Sequence, residues 1–290
     1  MPKNLARRAL IVCLPAVVVA VFAVGLTTLL NSGLPIALYW RYLVWNAPDL
    51  STGERLRIIG GRGFVSLKSQ EAGASLWRTP IGDFWGSSNE EPLLEFLLEE
   101  QVAYRIYSNE IVKVAKGDVV LDVGSHLGVF TRVALNAGAR KVVCFEPNPE
   151  TTAFFTRTFA QEQKSGRVVL IQAAAMDKPG RLSFETGPSD NSGTAHVAGK
   201  GEISVEAVTI DQIVAQLGLD AVDFVKMDIE GAELVALKGA RKTIERFQPK
   251  LAIALYHKPK DVDEIPACIR SIEPRYAFKK RGQEGMFYVR

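Results

Sequence analysis

Apolar residues fall into three patterns along this chain, and each predicts a different kind of element. From Ala9 to Leu30 no charged residue interrupts the run. About 22 residues at roughly 1.5 Å each make a helix of about 33 Å, enough to cross the hydrocarbon core of a bilayer. The run is too long for the apolar stretch of a cleaved signal peptide, and the break after it, Asn31-Ser32-Gly33, lacks a small-x-small cleavage pattern. Leu34 to Trp45 is a second apolar segment, too short to span, carrying Tyr39, Trp40, Tyr42 and Trp45, residue types that favour a membrane interface. Residues 1–45 are therefore expected to be a membrane anchor. Residues 46–105 change character: glycines, serines and short apolar runs (Ile58-Ile59, Phe64 to Leu67) predict a small β-containing cap or linker. Near its end, Asn89 is expected to cap a helix with Pro92 in the first turn and Leu93, Leu94, Leu97 and Leu98 turned inward.

From residue 106 to 290 the third pattern takes over, in which short apolar runs end in acids or glycines and helical spacing follows. Val119-Val120-Leu121 leads through Asp122-Val123 to Gly124, and Val129, Phe130, Val133 and Ala134 are spaced for a helix. Lys141 to Phe145, Arg167 to Ile171, Val222 to Asp228 and Lys250 to Tyr256 repeat the pattern. Near-continuous apolar runs fit parallel strands buried on both faces. Tyr276 to Lys280 and Met286 to Val289, separated by Gly282 and Gly285, read as a closing antiparallel hairpin. The prediction is an α/β, Rossmann-like sheet behind an N-terminal membrane helix.

Composition narrows the function classes. The formal net charge of +3 over 290 residues gives no global reason to expect a nucleic-acid partner. Cys13, Cys144 and Cys268 form neither a disulfide framework nor a metal-ligand spacing, which fits a reducing compartment. Lys3, Arg7 and Arg8 before the anchor hold the N-terminus in the cytoplasm, and a single span would then put the folded part outside. Arg41, Arg55, Arg57 and Arg62 follow the anchor as well. A helix that enters, turns at Asn31-Ser32-Gly33 and returns satisfies both sets of charges, so residues 9–45 are expected on the membrane with the folded part in the cytosol.

The chemistry starts at the glycine turn. A dinucleotide fingerprint starting at Gly124 needs glycines at positions held by His126 and Val129. Asp122, Gly124, Ser125 and Gly128 instead suit a ligand without a pyrophosphate, its amino-acid end lying over Gly124 and meeting backbone N–H groups. The next strand ends in Glu146-Pro147-Asn148, where an acid accepts hydrogen bonds from both ribose hydroxyls. Two strand-end acids around one glycine turn point to S-adenosylmethionine. Gln172 to Met176, centred on Ala174, closes the third strand where adenine would lie.

A second constellation follows in Val225-Lys226-Met227-Asp228-Ile229-Glu230-Gly231-Ala232-Glu233. With a period of two, Phe224, Lys226 and Asp228 share a face, and Asp228 reaches the strand's carboxyl end. A carboxylate beside a sulfonium stabilises it and orients or deprotonates a hydroxyl nucleophile. Lys226 pairs with a carboxylate or holds an anionic substrate group. Glu230 and Glu233, in or near the first helical turn, suit the helix dipole. His257, closing the fifth strand, is a candidate general base. Asp228, His257 and Lys226 are thus the expected catalytic residues. Asp228 and Glu230 could hold a divalent metal, but no other ligands support one and no metal is assigned.

Together these stretches resemble the FkbM-type S-adenosylmethionine-dependent methyltransferases. The likeness rests on Gly117 to Gly128, on Phe145-Glu146-Pro147-Asn148, and most specifically on Val225 to Glu233 with Leu237-Lys238-Gly239-Ala240 after it; Tyr256-His257-Lys258-Pro259 is also similar. The resemblance runs from about residue 77 to 290. It implies a seven-stranded sheet of six parallel strands and one antiparallel strand, and methyl transfer, usually to a hydroxyl of a glycan, natural product or other small acceptor. Related sequences often carry a carboxylate near the end of the fifth strand, where this one has Leu255-Tyr256-His257. The expected function is a membrane-tethered O-methyltransferase acting on a glycan, lipid-linked or small-molecule acceptor. The alternative is a non-catalytic membrane scaffold that keeps the fold; an oxidoreductase is disfavoured by the glycine spacing.

Overall fold

Alternation along the strands decides which residues meet which layer of the molecule, here a computed structural model describing residues 65–186, 196–197, 203–281 and 285–289. The expected anchor at residues 9–45 lies outside the described residues, among which no helix is long and apolar enough to cross a membrane. Strands β1 (Ser66–Glu71), β2 (Ala74–Thr79) and β3 (Gly82–Gly86) form an antiparallel sheet. Helix α1 (Glu91–Leu98) follows, burying Leu94 and Leu98. Its cap position is held by Glu90 and not by Asn89 as expected. The Glu90 carboxylate reaches back to the Ser87 hydroxyl (2.7 Å) and N–H (3.3 Å), so the turn before the helix is braced from inside. A π-helical turn, Glu99–Ala103, extends α1 toward the loop that carries Tyr107.

The main sheet begins at β4 (Val119–Val123), followed by α2 (Val129–Asn136), β5 (Lys141–Phe145), α3 (Pro149–Thr158), α4 (Ala160–Lys164) and β6 (Val168–Ile171). A smaller sheet then forms from β7 (Ala174–Ala175), β8 (Gly180–Glu185), β9 (His196–Val197) and β10 (Ile203–Val208). Thr209 caps α5 (Ile210–Gln216) by accepting from the Gln212 N–H at 3.0 Å. The chain returns through β11 (Phe224–Met227), α6 (Glu233–Lys238), α7 (Arg241–Phe247), β12 (Lys250–Ala254) and α8 (Asp261–Ile272) to the hairpin β13 (Ala277–Arg281) and β14 (Gly285–Val289).

The strand order is β13-β14-β12-β11-β4-β5-β6. The parallel block contains five strands, β6, β5, β4, β11 and β12, where six were expected. Strand β14 inserts antiparallel beside β12, and β13 hydrogen-bonds only to β14, again antiparallel. Having reversed twice, β13 points the same way as the block without joining its parallel ladder.

Within the block, Val120, Phe224 and Ala252 face one layer, with Phe130, Ala134 and Phe155 packed on them. Leu121, Val225 and Leu251 face the other, against Ile213, Leu237, Ile244, Ile265 and Ile269. Fully burying a side chain of that size stabilises by roughly 1.5–3 kcal/mol, so the two apolar faces hold the sheet and its rim is left for polar chemistry. The chain runs outward from β4 through β5 to β6, then crosses back to β11 and β12. The reversal lies between β4 and β11, and the crevice at the carboxyl ends of such neighbours is where ligands bind.

Candidate active site

Register brings the first pair together. Lys226 in β11 stands directly opposite Asp122 in β4, with its Nζ 3.3 Å from Asp122 Oδ1 and both side chains sealed from solvent. The ammonium also donates to the Gly124 carbonyl and lies 5.3 Å from the centre of the Tyr107 ring. Asp122 accepts from Thr131 Oγ1 at 2.7 Å. Lys226, read from the sequence as catalytic, and Asp122, read as touching the ligand, therefore lie beneath the glycine turn and brace it. Each stands two residues short of the rim, and the parallel register leaves them facing each other inside.

Two glycines have separate duties. Gly124 has φ +82°, and a Cβ there would stand 1.9 Å from the Asp228 carbonyl oxygen. Only a residue without a side chain lets the tip of β11 rise against the turn; the Asp228 N–H seals the contact by donating to the Val123 carbonyl at 3.0 Å. Gly128, with φ +89°, would carry its Cβ into the Phe159 ring at 2.3 Å. It serves the packing of α2 against the phenylalanines rather than a ligand.

The backbone donors of the turn are likewise taken up inside. The Gly124 and Ser125 N–H groups donate to the Phe145 carbonyl at 3.0 and 3.1 Å, and Gly128 N–H to the Ser125 carbonyl at 2.8 Å. The expectation that these groups meet a ligand is corrected accordingly. What the turn keeps for a ligand is the buried Ser125 hydroxyl, which has no hydrogen-bond partner.

Glu146 closes β5 at the same rim. Its Oε2 accepts from the His126 N–H at 3.0 Å and its Oε1 from the Asn148 N–H at 2.9 Å. Burial pushes its carboxyl up to about 7 in spite of those two bonds, so the charged form is short of donors. Asn148 turns its side chain to cap α3, accepting from the Glu150 N–H at 3.0 Å, and Pro147 links the two. Ala174 packs its methyl group against Phe184 and Val205 in the small sheet, so its side chain serves that core.

At the tips of β11 and β12 a second group assembles. Asp228 Oδ2 accepts from the Tyr107 hydroxyl and, at 3.0 Å, from the Tyr256 hydroxyl. Burial, and after it the Asp228 charge, push both phenols up, so both remain donors. The His257 ring lies with Nδ1 3.0 Å from Glu233 Oε1 and Nε2 3.4 Å from Asp228 Oδ1. Burial works against a charged ring there, but Glu230, Glu233 and Asp228 outweigh it and push His257 up to about 10. At neutral pH the ring carries its proton and faces these carboxylates as a cation.

The sequence by itself assigns Tyr107 and Tyr256 no role. Tyr256 stands beside the singled-out His257, whereas nothing local marks Tyr107, which lies 121 residues from Asp228. Glu233 does more than suit a helix dipole. Fully buried, it accepts from the Ile229 and Gly231 N–H groups at 2.8 and 3.3 Å and meets His257.

Known proteins share this arrangement of sequence. The methyltransferase FkbM domain matches residues 122–279, more than half of the chain. The chain belongs to that family. Its curated relatives include the hexuronic acid methyltransferase AglP of Haloferax volcanii, 28% identical over 206 residues, covering 70% of this chain and 76% of that protein. Another is the 2-O-methyltransferase NoeI of Sinorhizobium fredii, 28% identical over 149 residues, covering 44% of this chain and 59% of its own length. A crystal structure of the methyltransferase FkbM from Methylobacillus flagellatus KT aligns with a TM-score of 0.49 at 20% identity, over 70% of this chain and 56% of that one.

As an FkbM-type methyltransferase the chain takes S-adenosylmethionine as methyl donor, and its residues fit that group. Glu146 lacks the donors that two ribose hydroxyls supply, and the Ser125 hydroxyl waits unpartnered in the turn. Ribose hydroxyls favour the ionised carboxylate. S-adenosylmethionine should therefore bind more weakly as pH falls below about 7, by up to about tenfold per pH unit for one coupled proton. Calorimetry in buffers of different ionisation heat should show that proton leaving on binding, and Glu146→Gln should flatten both effects. For the ligand-free chain the sign reverses: Glu146 holds its proton more tightly folded than unfolded, so its contribution to stability is complete below 4.5 and lost as pH rises to about 7.

Proposed function

We propose that this FkbM-type methyltransferase methylates a hydroxyl of a glycan, lipid-linked or other polyhydroxyl acceptor, from the cytosolic face of a membrane that holds residues 9–45. The observation that carries the reading is Asp228, a carboxylate at the tip of β11, in contact with the glycine turn through its own backbone and held by two tyrosine hydroxyls. S-adenosylmethionine supplies an electrophilic methyl group: the acceptor oxygen forms the new O–C bond while the C–S electron pair passes to sulfur. Glu146 would hold the ribose and Ser125 the neighbouring end of the same group. Asp228 Oδ1, buried and without a hydrogen-bond partner, would accept the acceptor's hydroxyl proton and aim the oxygen. Displacement of this kind depends chiefly on alignment, and the tyrosines supply it by fixing the carboxylate plane. His257, charged beside Asp228, would balance the carboxylates around it.

The relatives' named activities, on a hexuronic acid and at a 2-O position, support a sugar hydroxyl as acceptor. Membrane extracts from cells with and without the chain, compared by mass spectrometry, should differ by one CH2 in a glycan or glycolipid; methyl transfer to nitrogen or carbon acceptors alone would refute the reading. The uncharged run from Ala9 to Leu30 supports the anchor. A tag at the C-terminus should resist protease added to intact cells and be cut once the membrane is opened. Cleavage from outside would reverse the proposed orientation.

A further inference from the structure

Tyr256 is turned the opposite way from most tyrosines. The residue ordinarily buries its apolar ring and keeps its polar tip in water. Here the hydroxyl points inward, donating to Asp228 Oδ2 at 3.0 Å, and burial is the first cause that pushes its phenol up. The residue is nevertheless 46% exposed, so what meets solvent is the ring. Tyr107 donates to the same oxygen with only 5% of its surface exposed. An open ring is therefore not needed to hold Asp228.

The ring is also fixed in place. Its hydroxyl is tethered at one end, and the His257 ring packs against it with centroids 4.3 Å apart and planes inclined at 48°. A rigid aromatic surface loses little side-chain freedom when a ligand covers it. Its faces carry the negative part of the ring quadrupole, and the C–H groups on one face of a pyranose present weak positive charge to them. Carboxylates border this surface: after Asp228, the charges that raise the phenol are those of Glu100, in the π-helical turn beyond α1, and Glu230, in the turn after β11. The Glu230 side chain is 36% exposed. An aromatic face edged by hydrogen-bond acceptors matches the two kinds of surface on a pyranose, apolar C–H and polar O–H.

We propose that the exposed ring of Tyr256 is the platform on which the acceptor's pyranose ring stacks, with Glu230 receiving a flanking hydroxyl. The proposal rests on the sugar acceptor argued above and names the surface that selects it. A pyranose lying on this ring brings a hydroxyl to Asp228, which stands one hydrogen bond away from the Tyr256 oxygen, and so is oriented for transfer.

Saturation-transfer NMR and methyl-transfer kinetics on the full chain test it, with the methyl pyranosides of glucose, galactose and mannose as probes. Sorbitol, which carries comparable hydroxyls without a ring face, is the control. Ring protons of at least one glycoside should receive saturation from aromatic protons of the protein, and sorbitol should receive none. Tyr256→Phe and Tyr256→Trp should bind that glycoside within about twofold of the parent, whereas Tyr256→Leu should weaken it roughly tenfold, the scale of one aromatic contact. With the same glycoside as acceptor, phenylalanine lowers kcat alone and leucine also raises KM, a split that a role confined to holding Asp228 would not produce. Unchanged affinity for S-adenosylhomocysteine shows that each variant is folded. No binding of any glycoside, or sorbitol binding as tight as theirs, overturns the platform. Sugar methylation with a KM unmoved by Tyr256→Leu rejects the platform and keeps the reaction, whereas glycoside binding that Tyr256→Leu weakens, without any methyl transfer, does the reverse.

Discussion

Asp228→Asn is expected to lower turnover by about 10²–10⁴-fold, the range for loss of a positioned proton acceptor, or roughly 3–5 kcal/mol of transition-state stabilisation. Asparagine keeps the shape and one oxygen for Tyr107 and Tyr256, so the tips of β11 and β12 should remain in place. It loses the negative charge and the second acceptor. S-adenosylmethionine affinity should change little, because Glu146 and Ser125 belong to β5 and the glycine turn. Tyr107→Phe and Tyr256→Phe each remove one donor to the same carboxylate, and each should slow turnover by roughly tenfold, as fits one hydrogen bond to a charged group. The buried Tyr107 should matter more than Tyr256, which is 46% exposed. Single-turnover rates with the acceptor in excess separate chemistry from binding, and near-normal turnover in Asp228→Asn would remove Asp228 from the reaction.

Lys226→Met is expected to destabilise the folded chain by about 3–5 kcal/mol, since removing one partner of a buried pair leaves the other charge uncompensated. Asp122 would then lie fully enclosed with only Thr131 as donor, and the Gly124 carbonyl would lose its ammonium. For a domain of this size that corresponds to a fall in Tm of roughly 10 °C. Lys226→Met combined with Asp122→Asn should recover much of the loss, because the stranded charge is gone while the new amide oxygen still accepts from Thr131. Differential scanning calorimetry of both variants decides the matter. A single variant as stable as the parent would mean that the pair does not brace the turn and would return Lys226 to consideration as a substrate contact.

Much of the framework was legible in local sequence. Runs such as Val119 to Val123 and Lys250 to Ala254 announce buried strands through continuous apolar character, and the strand-end residues Gly124, Glu146, Asp228 and His257 fall at one rim as expected. Motif membership identified residues without distinguishing their tasks. Asp122, Lys226, Gly128, Asn148 and Ala174 lie within recognisable stretches, yet in the structure they brace, pack or cap. Residue type and position in a motif do not reveal burial, and burial decides whether a charged group touches a ligand or another charge.

The chain's own order determined strand and helix identity, the glycine turn and the run of acids at strand ends, because those depend on residues within a few positions of one another. Tertiary structure alone decided that Lys226 faces Asp122 from a strand far along the chain, that Tyr107 reaches Asp228 across 121 positions, and that Glu230 and Glu233, at the turn from β11 into α6, meet His257 beyond β12. Register and packing set those meetings. Both are properties of the assembled sheet that no short stretch of sequence encodes.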